Sequence, residues 1–241
     1  MTAISTCCTA IKSTIIHHKD VSALRTMASL DEDILYIRDR LQPEGFVEPH
    51  LPDVCPEKAF ISVRREIIDW VKSQSRSNLF LLYGAAGSGK STICGAVAEY
   101  FQSLHQQGAS ICFRQGRREG EPGNVIKKIT FQLAAFDLKI RSLIIQQLEE
   151  NVPITDALLD TQFDELLLHP LSEARVEGPV VVILDALDAY SPPEDQCALL
   201  NLVRRQFTQL PKEFRFLITA RRNSLAAKTL LALRGCVIRS I

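Results

Sequence analysis

The sequence predicts an α/β fold built on a mostly parallel sheet, and three observations predict it. Short apolar runs alternate with amphipathic helical segments through most of the chain. The strongest run, Val180-Val181-Val182-Ile183-Leu184, is apolar without alternation, as a strand covered on both faces requires. A glycine-rich turn at Gly84–Gly89 follows one such run and precedes a helical pattern, so strand, turn and helix meet in that order.

Taken along the chain, residues 21–42 read as a helix, with Leu24, Leu30, Ile34, Ile37 and Leu41 at three- and four-residue spacing. Pro43, Gly45, Pro49, Pro52 and Pro56 punctuate a linker, so residues 1–49 read as a short helical extension and 50–241 as the main domain. Val63, Ile67, Trp70 and Val71 share a helix face. Residues 78–83 are apolar and too short for a helix, which makes them the first strand. Ile93, Val97, Tyr100, Phe101 and Leu104 stripe the next helix, and 109–113 form a second strand. A basic loop with Arg114, Arg117 and Arg118 follows, and Asn124 is placed to cap the helix carrying Ile126, Ile129, Leu133 and Phe136. Helical pattern covers 138–150 and 156–169, then Pro179 opens the 180–184 strand. Leu199, Val203 and Phe207 mark a helix, 214–219 a fourth strand and 236–239 a fifth.

Composition narrows the classes of partner. The 28 basic and 28 acidic residues balance, which excludes bulk electrostatic binding of nucleic acid or of an anionic membrane. No apolar run approaches the roughly 20 residues that cross a bilayer. Seven cysteines at irregular spacing read as reduced thiols in a cytoplasmic protein. Cys7-Cys8 as an acylation site and His17-His18 as metal ligands lack partner motifs, and a lead-in without Arg before Arg25 does not make a transit peptide.

The chemistry gathers at strand ends, where open parallel sheets bind ligands. Gly84-Ala85-Ala86-Gly87-Ser88-Gly89-Lys90-Ser91-Thr92 fits G-x-x-x-x-G-K-[ST], in which successive amides and the helix N-terminus converge on phosphate. Lys90 would reach the β- and γ-phosphates, Thr92 would lie near the α-phosphate, and the Ser91 hydroxyl would ligate Mg²⁺. Asp185 ends the most apolar strand and would hold the same Mg²⁺. Asp188 would orient the attacking water, and Thr219 with Arg221, at the end of the fourth strand, would detect or neutralise the γ-phosphate, Arg221 as its sensor.

These pieces, in this order, resemble the NACHT-type nucleotide-binding domain of STAND signalling ATPases, within the fungal group related to the amino-terminal domain of nephrocystin. The resemblance covers residues 50–241 and rests on Asp69-Trp70, Leu82-Tyr83 with the glycine loop, Thr130-Phe131-Gln132-Leu133-Ala134, Gln162-Phe163-Asp164-Glu165-Leu166, His169-Pro170-Leu171, Leu184 to Asp188 and Phe216 to Arg221. It implies a P-loop NTPase three-layer sandwich with a five-stranded sheet, the fourth strand inserted between the glycine-loop strand and the Asp185 strand. It also implies ATP or GTP with Mg²⁺ as a slow switch, and protein partners or self-association through the NTPase core. Two departures stand out. Ala189 occupies the second position of the acidic pair after the Walker B strand, which puts efficient hydrolysis in doubt. The sequence stops at Ile241 without the winged-helix region that follows in the family, so a fragment, a truncated product and a free-standing nucleotide module are the open readings. A small metabolite kinase and a non-hydrolysing interaction module are the alternative functions.

Overall fold

A computed structural model describes residues 29, 31–44, 58–114, 120–150, 154–190 and 192–241. The Cys7-Cys8 and His17-His18 pairs, most of the proline linker, and Arg117 and Arg118 lie outside those residues. A helix over 31–41 (α1) precedes α2 (Lys58–Lys72), β1 (Leu79–Gly84), α3 (Lys90–Ser103) and β2 (Gln107–Cys112). Then come α4 (Pro122–Phe136), α5 (Leu138–Glu150), α6 (Leu159–Phe163), α7 (His169–Ala174) and β3 (Val180–Asp185). The chain continues through α8 (Pro193–Gln206), β4 (Phe214–Arg221), α9 (Leu225–Leu231) and β5 (Cys236–Ser240).

All five strands are parallel, in the order β2-β3-β4-β1-β5. β4 therefore lies between β1 and β3, as the resemblance implies. Burial follows that order. Every residue of β3 is buried and seven of the eight in β4 are, whereas edge strand β5 is half-buried to exposed. A strand between two neighbours with helices on both faces has no wet side, which is why the central strands read as unbroken apolar runs.

Side chains alternate between two cores. Leu79, Leu81, Val182, Leu184, Phe216 and Ile218 enter the larger one, which α1 and α4–α9 cover. Phe80, Leu82, Val181, Ile183 and Leu217 enter the smaller one, under α2 and α3. Helix, sheet and helix form the three layers, with the period-two pleat distributing apolar side chains to both faces.

Buried polar groups bind the layers together. Asn78, at the foot of β1, donates through Nδ2 to the Phe207 carbonyl at 2.8 Å. Between Phe163 and His169 the helix widens to a π turn over Asp164–Leu168, with the His169 amide bonded to the Asp164 carbonyl. Pro170 has no N–H for the Leu166 carbonyl four residues back, and the Thr130 hydroxyl donates to that carbonyl at 3.4 Å. Phe163 stacks on Phe207 with ring centroids 5.4 Å apart. Thr130 and the 162–171 segment thus act as core architecture.

One expectation needs correction. Asn124 is not the cap of α4: the helix starts at Pro122, with Glu121 in extended conformation ahead of it. The Asn124 side chain instead accepts from the Glu44 amide at 2.8 Å and donates to its carbonyl at 3.1 Å. It ties the segment after α1 to the main body.

Candidate functional site

The site is built where β1, β3 and β4 end. Parallel pairing sets Gly84 of β1 level with Arg221 of β4, and Cys112 of β2 level with Asp185 of β3. The glycine loop, the Asp185 carboxylate and the Arg221 guanidinium therefore share one rim, although about a hundred residues separate the first two along the chain.

Between β1 and α3 the loop must turn sharply and leave its amides bare. Gly89, preceding the first residue of α3, has φ +84°, a left-handed conformation that side chains disfavour. A Cβ there would also collide with the ring of Phe60 from α2. A Cβ on Gly84 would run into the Ile241 carbonyl. Ala85, Ala86 and Gly87 are exposed at the crest of the loop, so their backbone is open to a ligand.

Lys90 lies under this loop. Its Nζ donates to the carbonyls of Gly84 at 3.1 Å and Ala85 at 2.6 Å, and to Ser88 Oγ at 3.3 Å. Burial lowers its pKa below the usual lysine value, while Asp188 and Asp185 oppose that fall. Those two carboxylates act on Lys90 across the rim.

Asp185 is 6% exposed and is held from three sides. The Thr219 hydroxyl donates to Oδ1 at 2.6 Å, and the same hydroxyl accepts from the Ala186 amide at 2.8 Å. The Cys112 thiol approaches Oδ2 at 3.6 Å. Cys94 lies near the same carboxylate, and burial with that neighbouring charge pushes both thiols up, so each is a neutral S–H group. Cys94 lies three residues after Ser91, so the α3 face carrying the Ser91 hydroxyl is the one turned toward Asp185.

Asp188 is occupied. Its Oδ1 accepts from the Arg221 amide at 2.9 Å, and its Oδ2 pairs with Arg221 Nε at 3.2 Å. The carboxylate is nearly buried while the guanidinium is half exposed, so the arginine tip reaches solvent beside the glycine loop. Thr92, half-buried in the first turn of α3, completes the set expected from sequence.

Three contributors, Cys94, Cys112 and Phe60, escaped the sequence reading, and a fourth, Thr219, was read for a different role. Thr219 orients Asp185 and is fully buried, so it does not face a phosphate. Cys94 and Cys112 flank the same carboxylate, and Phe60 covers the back of the loop. The one signal for the two cysteines was position: small residues at a strand end and near the start of the helix beyond the loop.

The donors suit Mg²⁺. A carboxylate and a hydroxyl are hard oxygen ligands, and Mg²⁺ normally takes one or two such protein ligands, completing its shell with water and phosphate. Among the described residues no group of three or more His, Cys, Asp or Glu side chains could hold a metal alone. No described helix is long and apolar enough to cross a membrane.

Comparison with known proteins bears on this arrangement. Among solved structures, the chain is similar to Cdc6p from Pyrobaculum aerophilum, at 13% identity and a TM-score of 0.44, over 83% of this chain and 48% of that one. It is also similar to Pif1 helicase from Candida albicans, at 13% identity and a TM-score of 0.35, over 78% and 40%. The chain thus spans about half the length of the first and two fifths of the second. No curated protein matches it. The family model "Nephrocystin 3, N-terminal" matches residues 60–221, from the phenylalanine behind the glycine loop to the arginine paired with Asp188. With more than half its length within that match, the chain belongs to the nephrocystin 3 N-terminal family.

Proposed function

We propose that this chain is the nucleotide-binding regulatory domain of a NACHT-type STAND signalling NTPase, taking ATP or GTP with Mg²⁺ and acting as a slow conformational switch. One observation carries the reading: the glycine loop, Asp185 and the Asp188–Arg221 pair share one rim of one sheet. The backbone from Gly84 through Gly89 cradles the phosphates, and Lys90 exchanges its carbonyl partners for phosphate oxygens. Ser91 and Asp185 hold Mg²⁺, whose chemistry is to neutralise the β- and γ-phosphate oxygens. Thr92 lies by the α-phosphate.

Slow turnover follows from two local facts. In the free chain both Asp188 oxygens are engaged by Arg221, so the carboxylate can orient water only once the guanidinium has turned to the γ-phosphate. Ala189 supplies no second carboxylate. Arg221 can leave Asp188 for a γ-phosphate, and that exchange would mark the triphosphate state as distinct from the diphosphate state. Protein partners, or a second copy through the NTPase core, would read the difference. A cytoplasmic setting without nucleic acid belongs to the same proposal and rests on composition.

The test is a thermal-shift series with ATP, ADP and GTP, each with and without Mg²⁺. A ligand at a hundred times its dissociation constant should stabilise the chain by about 2.7 kcal/mol. Larger shifts with Mg²⁺-triphosphate than with diphosphate, and slow release of inorganic phosphate, are expected. Transfer to an added acceptor would identify a kinase, and no shift with any nucleotide would leave an interaction module.

A further inference from the structure

The opposite end of the sheet holds a second cleft. It lies where the turn after α2 meets the starts of β3 and β4, at the strands' amino ends, away from the glycine loop. The cavity is about 350 Å³, within the range of small-ligand sites. Lys72, Arg76, Lys212 and Arg215 line it, against a single acid, Glu213. In a chain whose charges balance overall, this excess is local.

Arg215 gives the cleft its character. It is 4% exposed and lies over the Trp70 ring, 5.6 Å from the centroid. Its guanidinium donates to the backbone carbonyls of Ser73 at 2.8 Å and Ser75 at 3.1 Å, and to that of Ser77. These acceptors are neutral, and among the described residues no carboxylate comes within ion-pair distance of it. Its Nε is buried without a hydrogen-bond partner. Carbonyls satisfy N–H groups but carry no net charge, and the one opposing charge, the exposed Glu213 carboxylate, does not outweigh burial, which holds the Arg215 pKa below its usual value. Lys72, Arg76 and Lys212 stand exposed around it. The Lys72 ammonium is steered by Tyr100, whose hydroxyl it bonds and whose ring it overlies at 4.9 Å.

We propose that this cleft is a second anion site, which takes a small, multiply charged oxyanion of the phosphate class independently of the nucleotide site. The anion adds to the weak counter-charge that Glu213 offers Arg215, and the exposed bases close on it from the rim.

Pyrophosphate without Mg²⁺, titrated against the Lys90→Ala chain at constant ionic strength, tests this without help from the glycine loop, whatever the fate of the nucleotide reading. A saturable rise in Tm is expected. Adding Arg76→Gln and Lys212→Gln, both exposed and so compatible with folding, should weaken the apparent affinity at least tenfold. With Lys90 intact, the same two substitutions should leave ATP-Mg²⁺ affinity within twofold. A rise no larger than sodium chloride gives, an undiminished rise in the triple variant, or a parallel loss of ATP affinity would each overturn the proposal.

Discussion

Lys90 meets two opposed demands: it must be charged to hold phosphate, yet it is buried beneath the loop that phosphate would occupy. Burial lowers its pKa from the usual 10.5, so the free, folded chain bears a cost for keeping the ammonium protonated. The unfolded chain binds that proton more readily, so this group's contribution to stability improves as pH rises through the lowered value. Nucleotide affinity moves the other way, because the neutral amine has no charge to offer. ATP affinity should therefore fall with rising pH before an ordinary lysine would titrate, and Lys90→Met, which has no ammonium, should show no binding at any pH. Calorimetry between pH 7 and 10 measures both. Thr219 permits a second prediction at this scale. Removing its donor with Thr219→Val leaves Asp185 without its 2.6 Å hydrogen bond. A hydrogen bond to a charged group contributes about 1.5–3 kcal/mol. The Mg²⁺-dependent part of ATP binding should weaken roughly tenfold, the Mg²⁺-free part should not change, and Asp185→Asn should reproduce this pattern. Equal losses with and without Mg²⁺ would place Thr219 in the general fold only.

Elements carry the next layer of constraint, and the loop is tied to a helix outside it. Gly89→Ala adds a left-handed strain of about 1–2 kcal/mol and drives a methyl into the Phe60 ring. Phe60→Ala removes the second penalty only. Denaturant unfolding of the two single variants and the double should therefore give less than the sum of their separate costs, whereas additivity would show that the contact is inert. The element pattern was legible in the sequence because the central strands bury both faces and most helices bury one. Asn124 was misread for a physical reason. A short amide near a helix start satisfies the rule for a cap, but local sequence cannot reveal that Glu44 takes both of its hydrogen-bonding ends. Likewise Thr219 looked like a phosphate contact. Only the order β3-β4 brings it against Asp185, thirty-four positions away in sequence.

At the scale of the whole molecule, the helix over 31–41 is no loose appendage. Ile37 and Leu41 are fully buried in the larger core, and Arg40 donates to the Leu148 carbonyl of α5 at 3.0 Å. We propose that α1 belongs to the NTPase body rather than to a separate extension. Leu41→Ala should then cost about 2–5 kcal/mol, as for other buried leucines, and should lower Tm in one cooperative transition. A cost near zero would make α1 peripheral. The rim of the site was legible piecewise: the glycine loop by its spacing, Asp185 by its apolar strand. Its assembly was not, since periodicity says nothing of strand order and the insertion of β4 came only from the resemblance. The central claim is that these strand ends form one nucleotide site. Isothermal titration of ATP-Mg²⁺ into the wild-type chain and into Lys90→Ala tests it most directly. Saturable binding to the wild type and none to the variant is the predicted result; equal affinity in the two would contradict the account.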